Sequence, residues 1–472
     1  MYFMQEIKIR MGLMNRNKFR RFCEWLVFFA AFGGLSWFVL GKITAWRTEQ
    51  IMAAPSEGFV FYFGLTISVM TIVFMLFQAI LSCFYKPVTQ WQSDKEFSGC
   101  TVIVPAYNEG SAVADTLRSL LKSDFPKDKL EIIAINDGSK DDTWNWIRLV
   151  AGESGGLIQA VNFEQNKGKK AALHYGFNHA RHDIVVTIDS DSLVGSDTLS
   201  NLVLPFARPE VGGVAGTVRV SNMCDGFVPR MLDICFVFSS HFMRCAQSTI
   251  GAVLCSPGAI SAYRKKAILP HLDRWLHQTF LGQPSHIGED RALTSILLRN
   301  DYHVVLQQNA QVLTRVPTDY PQLCRTLIRW TRGDVREGLL MVKHFAKRFP
   351  AKNLRLGVLQ FNLVFQLLGL LLPITAVPSV LVALATNLQS LEMTVYYLAG
   401  ISWVWAAVPA LLYAERESPL KAMLAFAVGI FNIIALSWIC VYSWFTVRNS
   451  KWMTRDVKKS EEQLCPEARR LS

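Results

Sequence analysis

The sequence predicts an α/β domain with a doubly wound, mostly parallel sheet, inserted between α-helical transmembrane segments. Two observations lead to this fold class. Long apolar runs occupy both ends of the 472-residue chain, while the residues from about 95 to 350 have the composition of a soluble domain. Within this central part, apolar runs of strand length alternate with stretches of helical spacing, which is typical of a parallel sheet covered by helices.

The alternation of strands and helices can be followed through the first half of the central domain. The predicted strands are 100–105, 131–135, 157–161 and 184–188, and the predicted helices between them are 111–122, 142–150 and 169–181. Polar motifs follow several of these strands directly. Because ligands of open α/β sheets bind beyond the carboxyl ends of the strands, we expect the functional site there.

Two apolar runs precede this domain. Residues 23–41 and 59–84 are each about long enough to cross a hydrocarbon core of roughly 30 Å. Basic residues stand before the first run and predict a cytoplasmic N-terminus, because such flanks stay inside. Attraction to anionic lipids without topological meaning is the alternative.

Three apolar blocks follow the domain, at 356–386, 393–413 and 420–446, with basic residues on both sides of the group. Both flanks are predicted to be cytoplasmic, so the chain should cross the membrane an even number of times between them. This conflicts with the odd number of apolar blocks. Either Pro373 and Pro378 divide the first block into two short tilted helices, or one block lies at the membrane interface. We favour four crossings.

The predicted organisation has five parts. They are a basic tail with two transmembrane helices at 1–95, a cytoplasmic catalytic domain at 96–318, amphipathic interface helices at 319–355, C-terminal transmembrane helices at 356–447, and a cytoplasmic tail at 448–472. The net charge of +12 is not gathered with aromatic residues into a stripe, so no nucleic-acid partner is expected. Ten cysteines without a C-x-x-C pair or zinc spacing fit a reducing compartment.

The motif Asp189-Ser190-Asp191 follows the fourth predicted strand. Carboxylates at positions i and i+2 of a turn can point at one ligand, and their oxygens suit Mg²⁺ or Mn²⁺. Such an ion would neutralise a diphosphate leaving group. Two solvated carboxylates are the alternative, but the position after a buried strand favours a metal site.

Four further motifs carry candidate chemistry. Asp137, after the second strand, could accept a hydrogen bond from a uracil ring or simply form a turn. The loop 166–171 opens a helix and could bind an anion, or be a solvated basic loop. Asp290, in the sequence GEDR, could be a general base or a helix cap. Arg329-Trp330 could bind phosphate and stack on a sugar, or pack an amphipathic helix.

Taken in order, these motifs resemble those of the inverting family-two glycosyltransferases, specifically the processive branch with hyaluronan, chitin-type, poly-N-acetylglucosamine and cellulose synthases. The stretches that carry the resemblance are VIVPAYNEG (102–110), INDGS, NKGKKAAL, TIDSDS, SPGAISAYR (256–264), GEDRALT (288–294) and IRW. Their order and spacing are specific and cover most of the chain past residue 100. The resemblance implies a GT-A-like fold and a UDP-sugar donor.

The resemblance also implies roles for the matching residues of the donor side. Tyr107 and Glu109 would line the nucleotide pocket, and Asp137 would hold the uracil. Lys169 would lie beside the nucleotide. Asp189 and Asp191 would bind the diphosphate and the Mg²⁺ or Mn²⁺ ion, with Asp191 the direct ligand of the metal.

On the acceptor side, Asp290 would be the catalytic base. Arg329 would contact the diphosphate, and Trp330 would mark the acceptor terminus at the mouth of a polymer channel. The other implied substrate-side residues are Ser256, in the acceptor-side loop, Glu289, Arg291 and Thr326. Thr326 stands where the family has a glutamine and reaches less far.

Trp452-Met453-Thr454-Arg455 is similar to the gating loop of hyaluronan synthases, in which Trp452, Thr454 and Arg455 would contact substrate; a juxtamembrane basic segment is the alternative. We therefore expect a processive β-glycosyltransferase of the plasma or inner membrane. It would polymerise a UDP-sugar, with UDP-N-acetylglucosamine the best match, onto a growing polysaccharide, with possible accessory membrane or export subunits. A non-processive enzyme acting on a lipid or short acceptor and an inactive membrane scaffold are the alternatives.

Overall fold

A computed structural model describes residues 24, 55–91, 98–386 and 390–450 of the chain. The chain divides into two compact units. One combines the residues up to Met75 with Ile374–Trp438, and the other combines Leu76–Pro373 with the residues from Ile439 onward. The second unit holds the α/β domain and every described motif. The predicted gating residues 452–455 lie outside the described residues.

The order of elements follows the predicted alternation and then becomes less regular. The strands are β1 (Cys100–Ala106), β2 (Leu130–Asn136), β3 (Ile158–Asn162), β4 (Ile184–Ile188), β5 (Ser192–Val194), β6 (Val211–Val220), β7 (Ile260–Arg264), β8 (Thr279–Phe280), β9 (Gln283–Pro284) and β10 (His303–Thr314). Helix α1 (Pro55–Cys83) precedes the α/β domain. The helices of the domain are α2 (Ala112–Leu121), α3 (Thr143–Glu153), α4 (Lys169–His179), α5 (Thr198–Val203), α6 (Phe227–Phe238), α7 (Arg244–Thr249), α8 (Lys265–Ile268), α9 (Leu272–Leu276), α10 (Glu289–Arg299) and α11 (Tyr320–Ala346). The helices after the domain are α12 (Leu354–Thr386), α13 (Ser390–Arg416), α14 (Pro419–Ala422), α15 (Leu424–Phe431) and α16 (Ser437–Phe445).

Eight of the ten described strands form a mixed sheet in the order β3-β2-β1-β4-β7-β6-β10-β5, and β8 pairs with β9 in a separate two-stranded sheet. The first four strands are parallel, as predicted, and β6 is parallel to β10. Strand β7 is antiparallel to both of its neighbours, β4 and β6. The predicted α/β fold with a mostly parallel sheet is therefore confirmed, with an antiparallel strand joining its two halves.

Both faces of the sheet are covered, which explains why its strands read as unbroken apolar runs. In β1, Val102 and Val104 pack into one core cluster and Ile103 into the other. Helix α4 lies directly on this strand, because a Cβ atom on Gly176 would meet the Ile103 side chain at 2.5 Å. The same packing holds the first residue of α4, Lys169, beyond the carboxyl end of β3.

Two helical segments in the described part of the chain are long and apolar enough to cross a membrane, Leu354–Ile374 and Pro419–Phe445. The interpretation that Pro373 and Pro378 divide the block 356–386 is wrong, because the single helix α12 covers that block. Proline is tolerated in apolar helices where neighbouring groups satisfy the freed carbonyls. The predicted crossing at 59–84 falls in α1, and the one at 23–41 lies outside the described residues.

Candidate active site

The acidic turn Asp189–Asp191 lies at the point of the sheet where the order of the strands reverses, between β1 and β4. From β1 the chain proceeds to β2 and β3 on one side and then returns to β4 on the other. Ligands of open α/β sheets bind at such a switch point, beyond the carboxyl ends of the two strands. Asp189 follows β4 directly and Tyr107 follows β1 directly, so both predicted residues stand at this edge.

Lys169 joins the acidic turn to the start of helix α10. Its ammonium group donates a hydrogen bond to Asp189 Oδ1 at 2.5 Å and forms an ion pair with Glu289 Oε1 at 2.9 Å. Burial alone would lower the pKa of Lys169, but the two carboxylates outweigh it and hold the pKa above its usual range. Lys169 is therefore a fixed cation between two acidic segments.

Asp290 lies in the first turn of α10 and is half-buried there. Burial and the charge of Glu289 together raise the pKa of Asp290 to about 6, although Lys169 opposes both. Its Oδ1 accepts a hydrogen bond from the backbone N–H of Arg291 at 2.7 Å. A carboxylate with this pKa is ionised at neutral pH and still basic enough to take a proton.

The neighbouring carboxyl group of Glu289 is shifted the other way. Burial would raise the pKa of Glu289, but the charges of Lys169 and Arg329 outweigh burial and lower it. Two adjacent acids thus differ in protonation behaviour because only one of them is paired with cations. Such a separation marks acid–base assignments in enzymes and favours Asp290 over Glu289 as the base.

The loop before β7 brings these charged groups to one point, at Gly258. A Cβ atom there would lie 3.3 Å from the Lys169 ammonium, 3.4 Å from Asp290 Oδ2 and 3.7 Å from Asp189 Oδ2. Lys169, Gly258, Glu289 and Asp290 also line a small cavity of about 10 Å³, room for roughly one water molecule. The glycine leaves open the space that faces both the acidic turn and the candidate base.

The two carboxylates of the acidic turn fit a divalent cation that is only partly held by protein. Asp191 Oδ1 accepts a hydrogen bond from the Thr314 hydroxyl at 3.3 Å, while Asp189 is paired with Lys169. Among the described residues, no group of three or more His, Cys, Asp or Glu side chains is arranged to hold a metal ion. Mg²⁺ commonly takes one or two carboxylates and completes its shell with substrate phosphates and water, which this donor set allows.

Asp137 holds the basic loop that precedes α4. Its two carboxylate oxygens accept hydrogen bonds from the backbone N–H groups of Lys167 and Gly168, both at 2.8 Å. Burial raises the pKa of Asp137, and these two N–H groups act against that rise. The predicted contact with a uracil ring would use the remaining lone pairs of a carboxylate that is already fixed.

The segment after β1 is held against the segment after β2. The hydroxyl of Thr143 accepts hydrogen bonds from the backbone N–H groups of Glu109 at 2.9 Å and Gly110 at 2.8 Å. The backbone N–H of Asn108 donates to the hydroxyl of Ser139 at 3.0 Å. Tyr107 and Glu109 therefore lie on one wall of the edge that also contains Asp137.

The acceptor-side residues lie on helix α11. The charge of Arg329 acts on Glu289, so this arginine faces the start of α10. Trp330 is 37% exposed, and its ring lies 6.1 Å from that of Phe236 on α6. Thr326, one turn earlier, is buried. Arg329 thus lies near enough to Glu289 to lower its pKa, and the Trp330 ring is partly open to solvent.

Two predicted substrate residues, Arg291 and Ser256, differ in whether their side chains are already bonded to protein. The Arg291 guanidinium donates to Asp334 Oδ1 on α11 at 2.5 Å. Ser256 is fully buried, and its hydroxyl has no hydrogen-bond partner among the described residues. The hydroxyl of Ser256 therefore has unused hydrogen-bonding capacity, whereas Arg291 is directed at the neighbouring helix.

Sequence reasoning missed Thr294, one turn after Asp290 on α10. Its hydroxyl donates to the backbone carbonyl of Asp290 at 2.9 Å and accepts from the backbone N–H of Ser256 at 3.1 Å. This buried side chain ties the loop that contains Gly258 to the turn that contains the candidate base. The four-residue spacing within GEDRALT, which places both residues on one helix face, could have revealed it.

Residues 101–269 match a family model described as Glycosyl transferase family 2. An N-acetylglucosaminyltransferase of Azorhizobium caulinodans is 29% identical over 357 residues, which cover 75% of this chain and 87% of that protein. One of Rhizobium meliloti is 30% identical over 356 residues, 75% of this chain and 80% of that protein. A hyaluronan synthase of Streptococcus pyogenes is 27% identical over 392 residues, 82% of this chain and 90% of that protein.

A solved structure of similar fold is the mannosyltransferase of Pyrobaculum calidifontis in complex with GDP-Man and Mn²⁺. It aligns with a TM-score of 0.53 and 23% identity, over 78% of this chain and 98% of that one. This similarity confirms the GT-A-like fold that the motifs predict.

Proposed function

The chain belongs to glycosyl transferase family 2 and is a glycosyltransferase, and on this premise we propose that it is a membrane-embedded processive β-glycosyltransferase. It polymerises UDP-N-acetylglucosamine by inverting transfer into an exported polysaccharide. Two relatives named N-acetylglucosaminyltransferase support the sugar. The hyaluronan synthase, named for a polymer, supports chain extension.

The observation that carries this proposal is the convergence of Asp290, Lys169 and Asp189 beside Gly258. Asp290 takes the proton of an acceptor hydroxyl, whose oxygen forms a bond to the anomeric carbon of the donor. On the opposite face of that carbon, the bond to the diphosphate oxygen breaks and UDP leaves with the electron pair. Lys169 and Arg329 stabilise the negative charge that the leaving UDP carries.

We propose that Asp191, together with Asp189, holds Mg²⁺ or Mn²⁺. When bound, the ion neutralises charge on the diphosphate of the donor. The carboxylates themselves orient the diphosphate relative to Lys169. Removal of divalent ions with EDTA should abolish UDP release, and added Mn²⁺ or Mg²⁺ should restore it. UDP release that persists in EDTA would contradict this assignment.

The remaining roles are assigned by proximity to this edge of the sheet. Tyr107, Glu109 and Asp137 line the nucleotide pocket. Trp330 stacks on the terminal sugar of the growing polysaccharide, since its ring is partly exposed. The segment 452–455 lies outside the described residues, and its proposed role as a gating loop rests on its similarity to that loop of hyaluronan synthases.

The chain is an integral membrane protein in this proposal, with its catalytic domain in the cytoplasm, where UDP-sugars are made. The two described apolar helices support insertion, and the basic flanks of the apolar blocks support the orientation. Resistance to extraction by alkaline carbonate, together with protection from protease in sealed right-side-out vesicles, would be expected. Recovery of the chain in the carbonate supernatant would contradict insertion.

The catalytic assignment is tested by Asp290→Asn and Asp191→Asn, each expected to abolish UDP release in purified membranes. Asp128→Asn, at an exposed position of the same domain, is the matched control and should retain wild-type activity. Activity near wild type in either site variant would overturn the assignment. A catalytically inactive scaffold would fail to bind UDP with Mn²⁺.

The donor and the product are tested with individually radiolabelled UDP-sugars. The expected result is a high-molecular-weight product from UDP-N-acetylglucosamine that linkage-specific hydrolases degrade. Addition of a single sugar to a lipid or short acceptor would instead identify the non-processive alternative. Gel sizing of the product separates the two.

A further inference from the structure

Two glycines bring the candidate base and the acceptor-side helix into backbone contact. Gly288 immediately precedes α10, and Gly333 lies within α11. A Cβ atom on Gly333 would stand 3.3 Å from the Cα atom of Gly288, and one on Gly288 would stand 3.2 Å from the Cα atom of Gly333. Backbone atoms cannot rotate away as the end of a side chain can. A side chain introduced at either glycine would therefore push α10 and α11 apart.

The junction lies between the two halves of the candidate site. Glu289 and Asp290 directly follow Gly288, and Arg329 and Trp330 lie about one turn before Gly333 on α11. The distance between the base and the acceptor-side residues therefore depends on how closely the two backbones approach.

An ion pair closes the junction at the next positions. The Arg291 guanidinium, 7% exposed, donates to Asp334 Oδ1 at 2.5 Å. Arg291 is on the first turn of α10, and Asp334 directly follows Gly333. The backbone contact sets how close the elements lie, and the ion pair limits how far they can slide past each other.

We propose that Gly333 is a positioning residue, whose contact with Gly288 sets the distance between the catalytic base and the acceptor-side helix. This inference rests on the proposed function, in which Asp290 and Arg329 act on one substrate pair. Gly288 has a left-handed backbone with φ of 76°, so a substitution there would add backbone strain. Gly333 is helical, and the position therefore isolates the effect of distance.

The experiment compares Gly333→Ala with Gly338→Ala on the same helix. Alanine is the stronger helix former in both, and a Cβ atom on Gly338 would meet nothing within 4 Å. Gly333→Ala must displace α10 or α11 by a few tenths of an ångström. Since a displacement of about 1 Å can cost about 100-fold, we expect kcat to fall roughly 3- to 10-fold. KM for the UDP-sugar should stay unchanged, and Gly338→Ala should match the wild type.

Asp334→Asn, which weakens the ion pair and keeps its shape, should lower kcat in the same direction with the donor KM unchanged. Equal kcat values for the Gly333→Ala and Gly338→Ala variants would overturn the inference, as would a loss that appears only as a higher donor KM. The Asp290→Asn variant distinguishes failure of the positioning role from failure of the proposed function. If Asp290→Asn retains activity, the proposed function fails; if it is inactive while Gly333→Ala equals its control, only the positioning role fails.

Discussion

Acidification is expected to remove activity through Asp290, because burial and the charge of Glu289 together raise the pKa of this carboxyl group to about 6. A general base works only when deprotonated, so activity is present above this pKa and is lost as pH falls through it. With a pKa of about 6, roughly 90% of the group is ionised at pH 7 and roughly 10% at pH 5, so kcat/KM for the donor falls about tenfold. An exposed aspartate with a pKa of about 3.9 would stay ionised over that range.

The pH at which half of the activity is lost should depend on Glu289. The negative charge of Glu289 raises the pKa of Asp290, and Glu289 also shares Lys169 with Asp189. Glu289→Gln removes this negative charge and one of the two carboxylates that share Lys169, and both changes favour the ionised form of Asp290. The midpoint should therefore move to lower pH. Glu153→Gln, in an exposed ion pair with Arg118, should leave it unmoved.

The assay measures initial rates of UDP release at subsaturating donor between pH 5 and 8, at fixed ionic strength and fixed Mn²⁺ concentration. Samples held at each pH and returned to pH 7 should recover full activity, which separates titration from unfolding. A flat profile between pH 5 and 7 would refute the assignment of Asp290 as the base. An unchanged midpoint in the Glu289→Gln variant would refute the explanation that the charge of Glu289 raises the pKa of Asp290.

Three further substitutions test the surrounding structure. Thr294→Val should lower kcat and destabilise the domain by about 1–3 kcal/mol, because a buried backbone N–H loses its partner; Thr294→Ser should restore both. Asp233→Ala leaves Arg219 buried without its two-pronged ion pair and should cost about 3–5 kcal/mol in thermal unfolding experiments. Gly176→Ala should destabilise the domain by about 1–3 kcal/mol through its clash with Ile103, which Ile103→Val should partly relieve.

Thr294→Val has a matched control variant. Thr217→Val removes a buried hydroxyl that donates to the Gln308 carbonyl, so it should lower stability without lowering kcat of the folded enzyme. A Thr294→Val variant that behaves like Thr217→Val would contradict a role for Thr294 in orienting Asp290. Wild-type unfolding temperatures in the other two variants would contradict the packing that explains them.

The first half of the sheet could be predicted because each strand carries its own signature. Strand β4 is buried at all five positions, and all its residues except Thr187 are aliphatic, so the polar turn after it is conspicuous. The antiparallel strand β7 could not be predicted in this way. Its local sequence forms a strand equally well beside any neighbour, and only the completed sheet fixes its position between β4 and β6.

The site shows the same division. Asp189, Lys169 and Asp290 belong to recognisable motifs, and the structure brings all three to Gly258. The close approach at Gly333 has no counterpart in the sequence, because a glycine in a helix reads only as a weak helix former. What a missing side chain permits is visible only when the facing backbone is known.

Asp137 illustrates why these residues do not act one at a time. Its carboxylate accepts hydrogen bonds from the backbone N–H groups of Lys167 and Gly168, and Lys169 follows them directly. Lys169 in turn pairs with Asp189 and modifies the pKa of Asp290. A residue predicted to touch only the nucleotide base is thus connected, through one loop and one ammonium group, to the proton acceptor. Substitution of Asp137 should therefore alter proton transfer as well as nucleotide affinity, since the loop that holds Lys169 loses its anchor.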